Sequence, residues 1–235
     1  MTEPQDPGQL TVLIAGGSSA AGIATARALA AAGHRVLSVG SDPERISAAV
    51  AGIPGAAGLV CNLAGPTAVE ELAASIHREF GPIDGLIHLV GGWRGGKGIP
   101  GQSDEDWEFL QRNVITTLRN TSRTFYPDLA ASPAGRLAIV SSTSVTRPTA
   151  GNANYAAVKA AAEAWVQAVA DGFAADESQA AAVVLAVKAL VDEGMRAAAP
   201  DRKFPGFTDV ELLAGEICEL FAQPAAGLNG IRKVL

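Results

Sequence analysis

Apolar and polar positions along this chain alternate between two repeats. Short runs of adjacent apolar, often β-branched residues are separated by longer stretches whose apolar positions recur at helical spacing. Residues 11–15 read as a buried strand, followed by a glycine-rich turn and a helical pattern over 23–32 that Gly33 stops. Residues 35–39 predict a second strand, 43–50 a helix, 58–61 a third strand and 66–79 the next helix. A fourth strand is expected over 84–90. Ser103 with Asp106 resembles a capping box opening a long helix through Phe125. Residues 136–141 then read as strand, 153–174 as helix, 180–187 as strand, 208–221 as helix and 231–235 as a short last strand. Residues 1–9 read as a loose tail, and 10–235 as a single domain without a linker or repeat. This alternation predicts an α/β fold: one doubly wound parallel sheet of about seven strands with helices on both faces. Its ligand crevice is expected at the carboxyl ends of the strands.

Candidate chemistry collects at those ends. Between the first strand and helix stands Gly16-Gly17-Ser18-Ser19-Ala20-Ala21-Gly22. Small residues let a backbone approach a pyrophosphate, and a helix N-terminus offers free N–H groups and the positive end of a dipole. An ordinary tight turn is the plain alternative, but the strand–turn–helix–strand context favours dinucleotide binding. Further on, Asn154-Tyr155-Ala156-Ala157-Val158-Lys159 follows Ser142 by a dozen residues. Tyr155 and Lys159, four apart in an alanine-rich stretch, share one helix face. An ammonium beside a phenol favours the ionised form, which suits the phenol to passing a proton near neutral pH.

These residues resemble the short-chain dehydrogenase/reductase family, a Rossmann-type fold, over nearly the whole chain. In the family's Thr-Gly-x-x-x-Gly-x-Gly turn, Ala15 and Ala20 replace the Thr and the middle Gly. By resemblance, Asn113, Ser142, Tyr155 and Lys159 match the catalytic set. The implied roles are proton exchange by Tyr155, a hydrogen bond to the substrate oxygen from Ser142, a hold on the nicotinamide ribose by Lys159, and an ordered water at Asn113. Gly16, Ser18, Ser19, Ala20, Ala21, Gly22, Gly40, Ser41, Asn62, Leu63, Val90 and Gly91 match the cofactor positions, with Tyr155 and Lys159. Trp93 joins Ser142 and Tyr155 as a substrate contact.

The departures also inform. The family's Asn-Asn-Ala-Gly reads His88-Leu89-Val90-Gly91, and the Pro-Gly after the sixth strand becomes Lys188-Ala189. His88 is expected to be a buried brace. Gly91-Gly92-Trp93-Arg94-Gly95-Gly96 and the segment from Leu185 to Met195 resemble dihydropteridine reductases, which lack the catalytic Ser present here. The flanking glycines suggest a movable loop. Gly40-Ser41 stands where the family places an acidic residue, which favours NADP over NAD, with Ser41, Ser19 and Arg45 to meet a phosphate and Asp42 opposing.

The resulting expectation is an NAD(P)(H)-dependent oxidoreductase interconverting a small-molecule carbonyl and alcohol. Its alternatives are a dihydropteridine reductase-like enzyme and a non-catalytic dinucleotide-binding regulator. Hydrophobic residues make up 48% of the 235 and charged residues 18%, enough for a sizeable core. A net charge of −6 argues against nucleic acid or an anionic membrane as main partner. No metal is expected from three scattered histidines, and Cys61 and Cys218 read as reduced, in a cytoplasmic setting. The resemblance implies a homodimer or homotetramer.

Overall fold

A computed structural model describes residues 8–235. Residues 1–7, most of the expected tail, lie outside the described residues; Gln9 Nε2 donates to Gly33 O at 3.2 Å. The chain begins β1 (Thr11–Ala15), α1 (Ala20–Ala31), β2 (Arg35–Gly40), α2 (Pro43–Val50), β3 (Ala56–Val60), α3 (Pro66–Glu79) and β4 (Gly85–His88). It continues with α4 (Asp104–Leu110), a π-helical turn (Gln111–Thr116), α5 (Thr117–Ala131), β5 (Arg136–Ser142) and α6 (Ala153–Ala175). Last come β6 (Ala181–Val187), β7 (Leu190–Val191), α7 (Glu193–Ala198), β8 (Thr208–Asp209), α8 (Val210–Ala222) and β9 (Arg232–Val234).

Seven strands form one parallel sheet in the order β3-β2-β1-β4-β5-β6-β9. The order reverses between β1 and β4, which opens a crevice beyond their carboxyl ends. Period-two alternation divides the core between the sheet's faces. In β1, Leu13 and Ala15 join the cluster under α3, α5 and α6, whereas Val12 and Ile14 join the one under α1 and α8. Gly33 ends α1 at φ 88°, where His34 N–H reaches back to Leu29 O at 3.0 Å.

Several expected bounds differ, among them the start of α1 at Ala20, and three of the differences are instructive. The fourth strand is shorter, Gly85–His88, and is preceded by Asp84, whose carboxylate accepts from Thr11 N–H (2.8 Å) and Ser132 Oγ–H (2.7 Å). The single long helix is interrupted by the π turn, although Ser103 does cap its start by accepting from Asp106 N–H at 3.2 Å. The last helix starts later than residue 208, since Thr208–Asp209 pairs with β7 and Asp209 caps α8. Sequence periodicity is blind to such two-residue strands, because they rest on partners far along the chain.

Candidate active site

A cavity of about 910 Å³ runs across the carboxyl ends of the sheet, from the β2 end at Ser41 to the segment after β6. Its first wall is the turn between β1 and α1. Gly16 takes φ 87°, and the N–H groups of Gly16 and Gly17 both donate to Val39 O, at 3.0 and 2.9 Å. A Cβ on Gly22 would lie 2.5 Å from Gly16 O, and one on Gly17 would lie 2.7 Å from Ser38 Cβ. Only glycine closes this turn. Gly22 therefore supports the cradle from behind and does not line the cavity. Ser19 is spent internally: its hydroxyl donates to Gly16 O (2.8 Å) and accepts from Gly22 N–H (3.0 Å). The first intrahelical bond runs from Ile23 N–H to Ser19 O, so the Ala20 and Ala21 amides sit at the open N-terminus of α1. Ala20, the methyl in place of a glycine, is exposed at the cavity edge.

Ser18, Ser41 and Arg45 line the adjoining region, as do Val90 and Gly91. Gly40 does not; its Cβ position is already filled by Ile46 Cβ at 3.3 Å and Ser18 Oγ at 3.4 Å. Asp42 is turned to local work, its carboxylate accepting from Arg45 N–H at 2.9 Å as the cap of α2. Asn62 and Leu63 also lie off the cavity lining. Asn62 Oδ1 accepts from Ala64 N–H at 3.2 Å, and the Leu63 side chain is buried in the core while its carbonyl accepts from Asn120 Nδ2.

The opposite wall carries Ser142, Tyr155 and Lys159, which the fold brings together from β5 and the first turns of α6. Ser144 gives Ser142 Oγ two hydrogen bonds, from its N–H (3.1 Å) and its hydroxyl (2.8 Å). With both lone pairs occupied, the Ser142 proton is left for an acceptor in the cavity, which Tyr155 also lines. Ser144 was not legible in the sequence as a partner; a serine two residues past a strand end carries no signal of its own.

The electrostatics depart from the simple phenol–ammonium picture. Burial pushes the Tyr155 phenol up, and the Ser142 hydrogen bond opposes that rise. Lys159 Nζ lies 5.9 Å from the Tyr155 ring centroid and donates to Val140 O at 2.7 Å. Burial pulls Lys159 down to about 8, and the Glu163 carboxylate works against it. His88 is driven to about 3 by burial and then by the Lys159 charge, so it stays neutral.

Asn113 lies in the π turn, outside the cavity lining, its Nδ2 donating to Phe109 O at 2.8 Å. Thr117 Oγ1 donates to Asn113 O (2.7 Å) and sits 3.0 Å from His88 Nε2. Since the single Thr117 proton goes to Asn113, His88 must present Nε2–H. The expected brace is thus built through a threonine. Such π turns are enriched at functional sites.

Trp93 lines the cavity and is 65% exposed. Its loop, expected to be movable, packs closely in this conformation. Gly95 lies under the indole, where a Cβ would meet Trp93 Cζ2 at 2.6 Å. Gly96 N–H donates to Gly151 O at 2.9 Å, and Gln102 Nε2 reaches Ala150 O and Gly151 O. These glycines serve close packing. Beyond β6, Lys188 Nζ donates to Pro205 O at 2.7 Å, and Met195 and Phe207 complete the cavity. Among the described residues no cluster of His, Cys, Asp or Glu is arranged to hold a metal ion, and no helix is long and apolar enough to cross a membrane.

The family model described as short chain dehydrogenase matches residues 10–201. The 2,3-dihydro-2,3-dihydroxybenzoate dehydrogenase of Bacillus subtilis is 32% identical over 153 residues, covering 63% of this chain and 58% of that protein. The 3-oxoacyl-[acyl-carrier-protein] reductase FabG of Escherichia coli is 29% identical over 150 residues, covering 63% of this chain and 61% of that protein. The chain thus spans less than two thirds of the length of these relatives. Among solved structures, an NADPH-bound short chain oxidoreductase from Pseudomonas aeruginosa with an atypical catalytic center superposes with a TM-score of 0.85 at 21% identity, covering 99% of this chain and 97% of that one. NAD+-bound xylitol dehydrogenase gives a TM-score of 0.81 at 16% identity, covering 98% and 99%. At those identities the likeness concerns the fold.

Proposed function

The chain belongs to the short-chain dehydrogenase family, and from that premise we propose that it is an NAD(P)(H)-dependent oxidoreductase interconverting a carbonyl and an alcohol. The observation that carries the reading is one cavity with a glycine cradle on one wall and Ser142, Tyr155 and Lys159 on the other. The cradle fits a dinucleotide: its backbone is closed at Gly17 and Gly22, and the open amides of α1 face an anion's place. Bound there, the cofactor supplies or takes up the hydride. Tyr155 exchanges the proton with the substrate oxygen, while Ser142, its proton directed outward by Ser144, donates a hydrogen bond to that oxygen. Lys159, on the same wall, would hold the ribose of the bound cofactor. The His88–Thr117 brace keeps the π turn and Asn113 in register.

NADP is the favoured cofactor. No carboxylate occupies the end of β2, the Asp42 side chain is engaged in capping, and Ser18, Ser41 and Arg45 line that part of the cavity. Dihydropteridine reduction is the second reading, supported by the loop from Gly91 to Gly96. Ser142, lining the cavity together with Tyr155, favours ordinary carbonyl reduction. The retained Ser142, Tyr155 and Lys159 also count against a non-catalytic regulator.

A cytoplasmic setting is part of the same proposal. An apolar groove of about 390 Å³ along α5 and α6, with Tyr126, Trp165 and Val169, supports pairing of two copies through these helices. The test is a panel of carbonyls, alcohols and pterins assayed with both cofactors in either oxidation state. Turnover of a carbonyl with NADPH supports the reading; tight NADPH binding with no turnover of any member overturns it in favour of the regulator.

A further inference from the structure

Two charged residues outside the catalytic set are tied into the same wall. Glu163 follows Lys159 by four residues, as Lys159 follows Tyr155, so the three form one stripe along α6. Both Glu163 carboxylate oxygens are engaged: Oε1 accepts from Ser141 Oγ–H at 2.6 Å and Oε2 from Arg232 Nε–H at 2.9 Å. Arg232 stands on β9, at the sheet edge, and its Nη2 donates to Ser142 O at 3.0 Å. The ring is therefore closed: Ser141 to Glu163, Glu163 to Arg232, and Arg232 back to the backbone of Ser142. It encloses the end of β5, from which the Ser142 hydroxyl projects. The pair is sheltered, with side chains 13% and 24% exposed for Glu163 and Arg232. Lys159 grips the same strand end at Val140 O.

We propose that Glu163 and Arg232 act as a positioning pair for the catalytic wall. Glu163 supplies the counter-charge that lets a buried Lys159 remain an ammonium, and Arg232 fixes both that carboxylate and the strand end bearing Ser142. The proposal rests on the assignment of Lys159 and Ser142 to the active site. Burying a cation without a compensating charge favours its neutral form. Tyr155 and Glu163 on α6 and His88 on β4 are the titratable side chains facing Lys159, with Arg232 reaching in from β9 through Glu163. His88 is neutral, so Glu163 carries the favourable charge, and Arg232 limits how far it can act.

The prediction has opposite signs for the two members. In protein labelled with 13C at the lysine ε position and free of nucleotide, the Lys159 resonance is assigned by loss in Lys159→Arg and titrated. Glu163→Gln lowers its midpoint by roughly half a pH unit or more, because the counter-charge is gone. Arg232→Met raises it, because a neighbouring cation is gone and Glu163 is left unshared. Glu163→Asp keeps the charge and stays closer to the wild-type midpoint than Glu163→Gln. Shifts of the same sign in Glu163→Gln and Arg232→Met, or no shift in folded protein, overturn the proposal. Should Glu163→Gln fail to fold, a fall or no change in Arg232→Met overturns it alone. The titration is read without substrate, so its failure is distinct from failure of the oxidoreductase reading, which the turnover panel decides.

Discussion

The two walls of the cavity are built on different principles. The wall between β1 and α1 is made of backbone: Gly16, Gly17 and Gly22 allow chain segments to touch, and side chains contribute little. The wall formed by β5 and α6 is made of side chains: Ser142, Ser144, Tyr155, Lys159, Glu163 and, from β9, Arg232. A backbone wall tolerates no added atoms at its closed positions, Gly17 and Gly22, and meets an anion with amides whose charge no titration alters. A side-chain wall tolerates shape changes but depends on who holds each proton. The first is suited to holding a cofactor, the second to chemistry.

Substitutions should separate these properties. The largest effect is expected from Tyr155→Phe, which keeps the ring and removes the proton-carrying oxygen. Turnover falls about 10²- to 10⁴-fold, while NADPH affinity, read by fluorescence, stays within a few-fold. Equal loss of both would mean that the two walls are not separable. Next is Gly22→Ala, whose methyl has nowhere to go beside Gly16 O. It should destabilise the fold by about 1–3 kcal/mol, lowering Tm and weakening cofactor binding together.

His88 gives a smaller, pH-dependent effect. The unfolded imidazole protonates near 6.5 and the folded one near about 3, so between these values the unfolded state binds more protons. Stability is full above pH 6.5 and declines as pH falls below it, by about 1.4 kcal/mol per pH unit. Thermal melts of His88→Asn at pH 7 and pH 5 should differ less than those of the wild type; an unchanged difference would place the acid sensitivity elsewhere. The smallest effect is expected from Arg45→Ala, which should reduce the preference for NADPH over NADH by roughly tenfold, about 1.4 kcal/mol, with no change in Tm. No change in that preference would remove Arg45 from phosphate recognition.

Much of the backbone wall is legible in the order of residues. A strand, a run of small residues and a helix are contiguous, and the reason for each glycine lies within a few residues of it. Tyr155 and Lys159 are legible because four residues of helix fix their neighbourhood. Leu63 and Asn62 are not, since whether a loop residue turns inward depends on the surface it meets, here the core reached through Asn120. The glycines around Trp93 read as freedom in the sequence; the structure adds that Gly95 and Gly96 pack closely against Gly151 and Gly101, contacts that lie far along the chain.

Sequence alone determined what depends on local repeat and spacing: the strand and helix alternation, the closed turn, and the shared face of Tyr155 and Lys159. Tertiary structure decided what depends on solvent exclusion and on contacts between distant segments. It raised the Tyr155 phenol by burial where proximity to Lys159 predicted the reverse. It also brought Arg232 to Glu163 across 69 residues of chain, because β9 pairs with β6 beside β5. Helical spacing is written in adjacent residues; burial and long-range pairing exist only once the sheet has assembled.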